Sequence, residues 1–205
     1  MVDEKFEPEI ISEKFDEWTK GKSPKEASIS VFEHIRDIPY AIVAEFRDPK
    51  IGPQKMLETN KGGCQPKHNL LALYFKKLGI PVKYVTYEFK WDDPSFKYPP
   101  DLDEMKKVVP NAYHLAIKAK IENRWTLVDA TWDKPLAKLG FPVNFVWDGM
   151  SDTKNAIHHI SALSHETQEE RYAYEMERRG LIAEEVRVVY SDFINKFNKW
   201  IISAR

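Results

Sequence analysis

The chain predicts an α+β fold. Helical periodicity dominates up to Leu78, three runs rich in β-branched and aromatic residues follow between Val82 and Trp132, and helical periodicity returns after Thr167. Apolar residues make up 42% of the 205 positions and aromatic residues 13%, which is ample material for a packed core. The formal net charge is −1, with Lys and Arg interleaved among Asp and Glu, so nucleic acid is not expected as a partner. The charged N-terminal stretch MVDEKFEPEIISEKFDEW lacks the apolar run of a secretory signal, and no segment approaches the ~20 apolar residues that span a bilayer. These features read as a soluble, cytoplasmic protein with no membrane partner.

A first helix is expected over residues 7–20, where Ile10, Ile11, Phe15 and Trp18 recur at helical spacing. Ser23, Pro24 and Glu26 supply a cap, a first-turn proline and a capping-box acid for a second helix. Its stripe is Ala27, Val31, Ile35 and Ile38, and Pro39 ends it. A loop containing Pro49, Gly52 and Pro53 leads into a short helical PQKMLETN. In the segment after Pro66, apolar residues from Leu70 to Leu78 surround most of the helix axis, which predicts a central helix; Gly79 and Pro81 stop it. VKYVTYEF, residues 82–89, reads as a strand. Residues 91–110, with Pro94, Pro99, Pro100 and Pro110, read as a long loop. AYHLAIKAKI and RWTLVDATW read as two strands joined by a tight turn at Glu122-Asn123. Residues 133–155 are punctuated by proline, and a short apolar HHISAL follows. Thr167 and Glu170 then form a capping box, and Val186, Val189, Phe193, Phe197 and Ile201 continue at helical spacing.

Cys64 is the one cysteine of the chain, so an internal disulfide and a thiolate-rich zinc site are both excluded. It follows Gly62 and Gly63, which allow close backbone approach, and precedes Pro66, which suits a first helical turn. A thiol at a helix N-terminus is stabilised as thiolate by the unpaired N–H groups and the helix dipole. A buried structural cysteine is the alternative reading of such a residue. A thiol nucleophile needs a histidine beside it and a third group to orient that histidine.

His114 is the leading candidate. Strand alternation sets Tyr113, Leu115, Ile117 and Ile121 on one face and His114, Ala116, Lys118 and Lys120 on the other, so His114 faces away from the apolar side. A turn at Glu122-Asn123 pairs Ile121 with Arg124 and sets His114 opposite Thr131, with Asp129 in diagonal reach. A turn one residue later sets Asp133 opposite instead, so Asp133 rivals Asp129. His68, one helical turn after Cys64, is either a base or metal partner or a residue of a partly exposed face. His158 and His159, with His165 nearby, are not expected to form a metal site, because adjacent strand residues point to opposite sides.

The segments GGCQPKHNLLALYFKKLGIPVKYV and YHLAIKAKIENRWTLVDATWD together resemble the core of the transglutaminase-like superfamily, within the papain-like cysteine protease fold. The likeness covers roughly residues 27–150, and VWDGMSD, residues 146–152, is similar to the end of such domains. The resemblance implies a catalytic helix packed on an antiparallel sheet, with Cys64 as nucleophile, His114 as general base and acid, and Asp129 as the carboxylate that orients the histidine. It implies acyl transfer through a thioester on a peptide or protein amide, with no cofactor and no metal. Leu115 and Ala116 stand where many relatives have alanine and tryptophan, so the aromatic wall of the acyl site is expected from Trp91 or Trp132. Residues 1–160 are read as this core with its N-terminal helices, and residues 161–205 as a helical extension packed on it. Two other readings stay open. One is a non-catalytic binding or scaffold module with the same fold. The other is acetyl transfer from coenzyme A, since GGC-x3-HN is similar to the cysteine motif of arylamine N-acetyltransferases. No oligomeric state follows from the sequence.

Overall fold

Four antiparallel strands, β1 (Val82–Phe89), β2 (Ala112–Ile121), β3 (Arg124–Val128) and β4 (His159–His165), form one sheet in the order β3-β2-β1-β4. The computed structural model describes residues 7–205; residues 1–6, the start of the charged N-terminal stretch, lie outside it. The helices are α1 (Glu9–Thr19), α2 (Pro24–Asp37), α3 (Gly52–Thr59), α4 (Cys64–Lys77), α5 (Pro100–Met105), α6 (Gln168–Gly180) and α7 (Glu184–Ser203). The chain is therefore α+β. Among the described residues, no helix is long and apolar enough to cross a membrane.

Local chemistry accounts for most boundaries. Ser23 and Glu26 close a reciprocal capping box on α2, and Thr167 and Glu170 do the same on α6. Asn60, in the left-handed region at φ 49°, ends α3. Glu122 and Asn123 both adopt positive φ, 49° and 65°, giving a two-residue hairpin whose twist matches its strands. Ile121 pairs with Arg124, the register read from the turn.

Three expectations change. The proline-rich segment 91–110 carries α5 and is anchored: Trp91, Phe96 and Leu102 are all buried. HISALSH is an edge strand paired with β1. The run RWTLVDATW leaves the ladder after Val128, because the Asp129 side chain and backbone bond elsewhere.

Strand alternation divides the core into two layers. Val82, Tyr84, Leu115, Ile117 and Val128 face α1, α2 and α4, where Phe32, Ile35, Leu71 and Phe75 are sealed from solvent. The opposite face, with Val85, Tyr87, Phe89 and Ala116, is covered by Trp91, Phe96, Trp132 and Phe141 and by Phe193, Phe197 and Ile201 of α7. The His114 side of β2 is thus also buried, since α7 and the loops supply a second apolar layer that alternation within one strand does not reveal.

The two glycines before Cys64 are required by packing. A Cβ at Gly62 would stand 2.7 Å from Met56 Cγ and 2.8 Å from its Sδ, and one at Gly63 would stand 3.3 Å from the Ala41 carbonyl oxygen. Gly62 runs against Tyr40 in a single parallel bridge, its N–H donating to Pro39 O at 3.0 Å and its carbonyl accepting from Ala41 N at 3.2 Å. Met56 is fully buried and has nowhere to retreat. Gly62→Ala is expected to destabilise the protein by about 1–3 kcal/mol in urea unfolding, the usual cost of overpacking. Gly180→Ala, with open space around the added carbon, is expected to be neutral or slightly stabilising in the same assay.

Candidate active site

Cys64 is the first residue of α4, and its N-cap, Gly63, has no side chain with which to satisfy the first-turn N–H groups. Those donors remain available to an anion beside the half-buried thiol. Ten of the fourteen residues of α4 are buried, including Gln65, Lys67 and His68. A central helix whose first turn is polar must therefore find a partner for each of those groups.

β3 pairs with β2 over Ile117–Ile121 only, which leaves Ala112–Ala116 without a β3 neighbour. The first turn of α4 and the chain after Val128 occupy that space. His114 Nε2 donates to Asp129 Oδ2 at 2.8 Å, so the other ring nitrogen, Nδ1, is the one left for Cys64, which lines the same cleft. Asp129 Oδ1 accepts from Thr131 N at 3.1 Å and Thr131 Oγ1 at 2.6 Å, while Oδ2 also accepts from Ala156 N at 2.9 Å. Of the two carboxylates weighed from the sequence, Asp129 is the one bonded to His114. Asp133 accepts instead from the Tyr40 N–H at 2.8 Å and pairs with Arg205 at 2.9 Å.

The electrostatics follow from these contacts. Burial pushes the Cys64 thiol up, but the neighbouring His114 ring and its charge, with the Leu115 amide and Arg171, outweigh it, and the net shift is downward. Burial disfavours the His114 imidazolium, yet the charge and hydrogen bond of Asp129, aided by Cys64, raise its pKa to about 10. Burial likewise opposes the Asp129 carboxylate, and His114 and His68 hold it well below the usual range. Each shift favours the charged form of its group: the Cys64 thiolate, the His114 imidazolium and the Asp129 carboxylate.

His68 is fully buried, not part of an exposed face. Its Nδ1 donates to Cys64 O at 2.8 Å and its Nε2 accepts from Ala130 N at 3.0 Å; a carbonyl that only accepts and an amide that only donates fix this neutral tautomer. Burial lowers its pKa against the pull of Asp129, whose Oδ1 is 3.5 Å away. His68 thereby ties the Cys64 peptide to the residue after Asp129. Lys67, also sealed from solvent, donates to Arg36 O and Thr131 O, both at 2.9 Å, and burial lowers its pKa to about 7. Gln65 donates to Glu175 of α6, which is also paired with Arg171 and Arg179. Sequence reasoning gave Gln65 and Lys67 no role and left His68 between a base or metal partner and an exposed face. The signal was present, since Cys64, Lys67, His68 and Leu71 share one helix face and two polar residues stand in an inward stripe.

Cys64 and His114 open onto a narrow cleft of about 50 Å³ walled by Tyr40, Trp91, Trp132 and Tyr190. Both tryptophans named as replacements for the missing aromatic are there. The Trp91 indole N–H is buried with no partner in hydrogen-bond geometry. His158, His159 and His165 are dispersed: the first is near Asp93, the second packs on Tyr87, and the third bonds Thr86.

The sequence profile of the transglutaminase-like superfamily matches residues 13–130, a range that holds Cys64, His114 and Asp129. The match covers more than half of the chain, and the chain belongs to this superfamily. Among solved structures it is similar to a candidate cysteine protease from Cytophaga hutchinsonii, with 16% identity and a TM-score of 0.42 over 78% of this chain and 52% of that one. It is also similar to a candidate protease from Parabacteroides distasonis, with 16% identity and a TM-score of 0.37 over 59% of this chain and 23% of that one. The chain thus spans about half the length of the first and about a quarter of the second. No curated protein matches it.

The folded His114 keeps its proton to about 10, while the unfolded side chain releases it near ~6.5. Its ion pair with Asp129 therefore contributes fully below pH ~6.5, and that contribution is lost as pH rises through about 10. In a Cys64→Ala background, which removes the thiol's own titration, His114→Gln is expected to flatten the fall in unfolding free energy between pH 7 and pH 10, read by urea titration at each pH.

Proposed function

We propose that this protein is a thiol-dependent enzyme that acts on amide bonds through a thioester, with Cys64 as nucleophile, His114 as acid and base, and Asp129 as the group that positions His114. The observation that supports the reading most strongly is the buried 2.8 Å bond from His114 to Asp129 on a histidine that lines the same cleft as Cys64 and shifts the thiol's pKa downward. In this reading residues 1–160, with the rest of β4 to His165, carry the reaction, and α6 and α7 of the C-terminal segment shape its entrance.

The thiolate attacks the amide carbonyl carbon; a C–S bond forms and the carbonyl π electrons move onto oxygen. The oxyanion is stabilised by the uncapped first-turn amides of α4 and by the unpartnered Trp91 indole N–H. As the intermediate collapses, the C–N bond breaks and the proton on His114 Nδ1 passes to the leaving amine. Neutral His114 then takes a proton from water, whose oxygen attacks the thioester. The C–S bond breaks, the acid is released, and thiolate and imidazolium are regenerated. An amine in place of water gives transfer by the same steps. Hydrolysis is the primary proposal.

The cleft at Cys64 is too small for more than the reacting acyl group, and it continues into a groove of about 610 Å³ bounded by Ile42, Val43 and Tyr190. Such a layout suits an extended peptide or protein segment that lies mostly outside the cleft.

Alkylation of Cys64 by iodoacetamide, followed by mass spectrometry, tests the reading without a known substrate. The wild type is expected to react well below the ordinary thiol pKa of ~8.5, and His114→Ala to shift the profile back toward that value. Once an amide substrate is found, His114→Ala is expected to reduce kcat/KM by about 10²–10⁴-fold. An ordinary thiol profile in both proteins would overturn the proposal and leave a binding module.

A further inference from the structure

Two arginines, Arg47 and Arg179, line both the cleft and the groove where the two meet. Arg47 ends a 3₁₀ turn, Ala44–Arg47, that is closed tightly behind it: a Cβ on Gly52 would stand 2.1 Å from the Phe46 carbonyl oxygen. Its side chain is half-buried, and among the described residues no carboxylate pairs with it. Burial and the charge of Arg179 both work against its protonated form, and the more weakly felt Glu175, Tyr190 and Cys64 offset them only in part.

The acids nearby do not neutralise this cluster. Glu175 is shared among Gln65, Arg171 and Arg179, and Nε and Nη2 of Arg171 stay buried without partners. Glu45 stands at the exposed outer rim of the groove, where Arg187 is also found. Three arginines, Arg47, Arg171 and Arg179, thus surround one buried carboxylate, and Arg47 is the guanidinium left over at the site entrance. Two like charges held together in a partly desolvated cleft are costly unless an anion joins them.

We propose that Arg47 and Arg179 form a carboxylate-binding subsite, so that the acyl donor carries a carboxylate beside the amide that Cys64 attacks. This rests on the thiol-enzyme reading and adds the substrate class to it. The carboxylate is an acidic side chain or a free chain terminus. Guanidinium is suited to either, because it grips a carboxylate through two parallel N–H donors.

Iodoacetate and iodoacetamide have nearly the same size and chemistry and differ in charge. Both report on the same sulfur, so the ratio of their rates cancels any change in thiolate fraction. The His114 imidazolium favours iodoacetate in every variant, and the remaining preference reads the arginines. Arg47→Gln is expected to lower the iodoacetate-to-iodoacetamide ratio by about tenfold, the size of one charge-assisted hydrogen bond, and Arg47→Lys to restore part of it. An unchanged ratio in Arg47→Gln overturns the subsite while leaving the Cys64–His114 reading intact. A thiol with ordinary reactivity toward iodoacetamide fails the enzyme reading first.

The unaltered protein provides a second arm, free of folding effects. N-acetylglutamate α-amide, N-acetylglutamine with a free carboxylate, and N-acetylglutamine amide are compared as protectants of Cys64 against iodoacetamide. Protection by one carboxylate at about tenfold lower concentration than by the neutral amide supports the subsite and identifies a side chain or a terminus as its source. Equal behaviour of all three overturns it.

Discussion

The Asp129 carboxylate is the group around which this protein is arranged. A buried carboxylate is tolerated only when its lone pairs are filled, and Asp129 fills them from three directions: the His114 ring, the Thr131 N–H and hydroxyl, and the Ala156 N–H. Its backbone is held as firmly, the N–H donating to Thr153 Oγ1 and the carbonyl accepting from Asn144. Those partners come from β2, from the end of β3 and from two loops distant in sequence. Satisfying one charge therefore closes the sheet edge, ends β3 at Val128 and opens the space in which the first turn of α4 meets His114. The carboxylate that positions the histidine is, for the same electrostatic reason, a keystone of the fold.

The second constraint is the polar first turn of α4. Burying Gln65, Lys67 and His68 costs free energy unless each is paired, and each finds a different layer: Glu175 of α6, the carbonyls of Arg36 and Thr131, and the backbone on either side of the site. Cys64 thus stands on a helix end tied to α2, to the chain after β3 and to α6. Rigid placement of the Cys64 thiol follows from the pairing of its neighbours, and no further device is needed.

The C-terminal helices have a double part. Phe193, Phe197 and Ile201 of α7 seal the second core, against aromatic side chains that include Trp91 and Phe141. Tyr190 and Arg179, from α7 and α6, then wall the cleft beside Cys64. The same packing that stabilises the far face of the sheet narrows access to the thiol, so changes in this region act on stability and on the site together.

Much of this was legible in one dimension. Periodicity gives the helices, because burial of one stripe imposes a 3.6-residue repeat; capping boxes at Ser23 and Thr167 mark their starts. The Glu122-Asn123 turn fixes the register of β2 and β3, since a two-residue hairpin leaves no freedom in pairing. That register and the glycine-led cysteine point to Cys64, His114 and Asp129 as residues that come together. Strand alternation alone does not choose between Asp129 and Asp133, because both sit on the histidine's face; the departure of the chain from the ladder after Val128 separates them. It does not reveal that the His114 face is buried, since its cover comes from a helix some 80 residues later in the chain. Nor does it distinguish His68 on an exposed face from His68 bridging Cys64 and Ala130, or set Arg47 beside Arg179. Local patterns record what each segment must bury. Which charges meet across segments is decided by tertiary packing, where low dielectric makes every unpaired group costly.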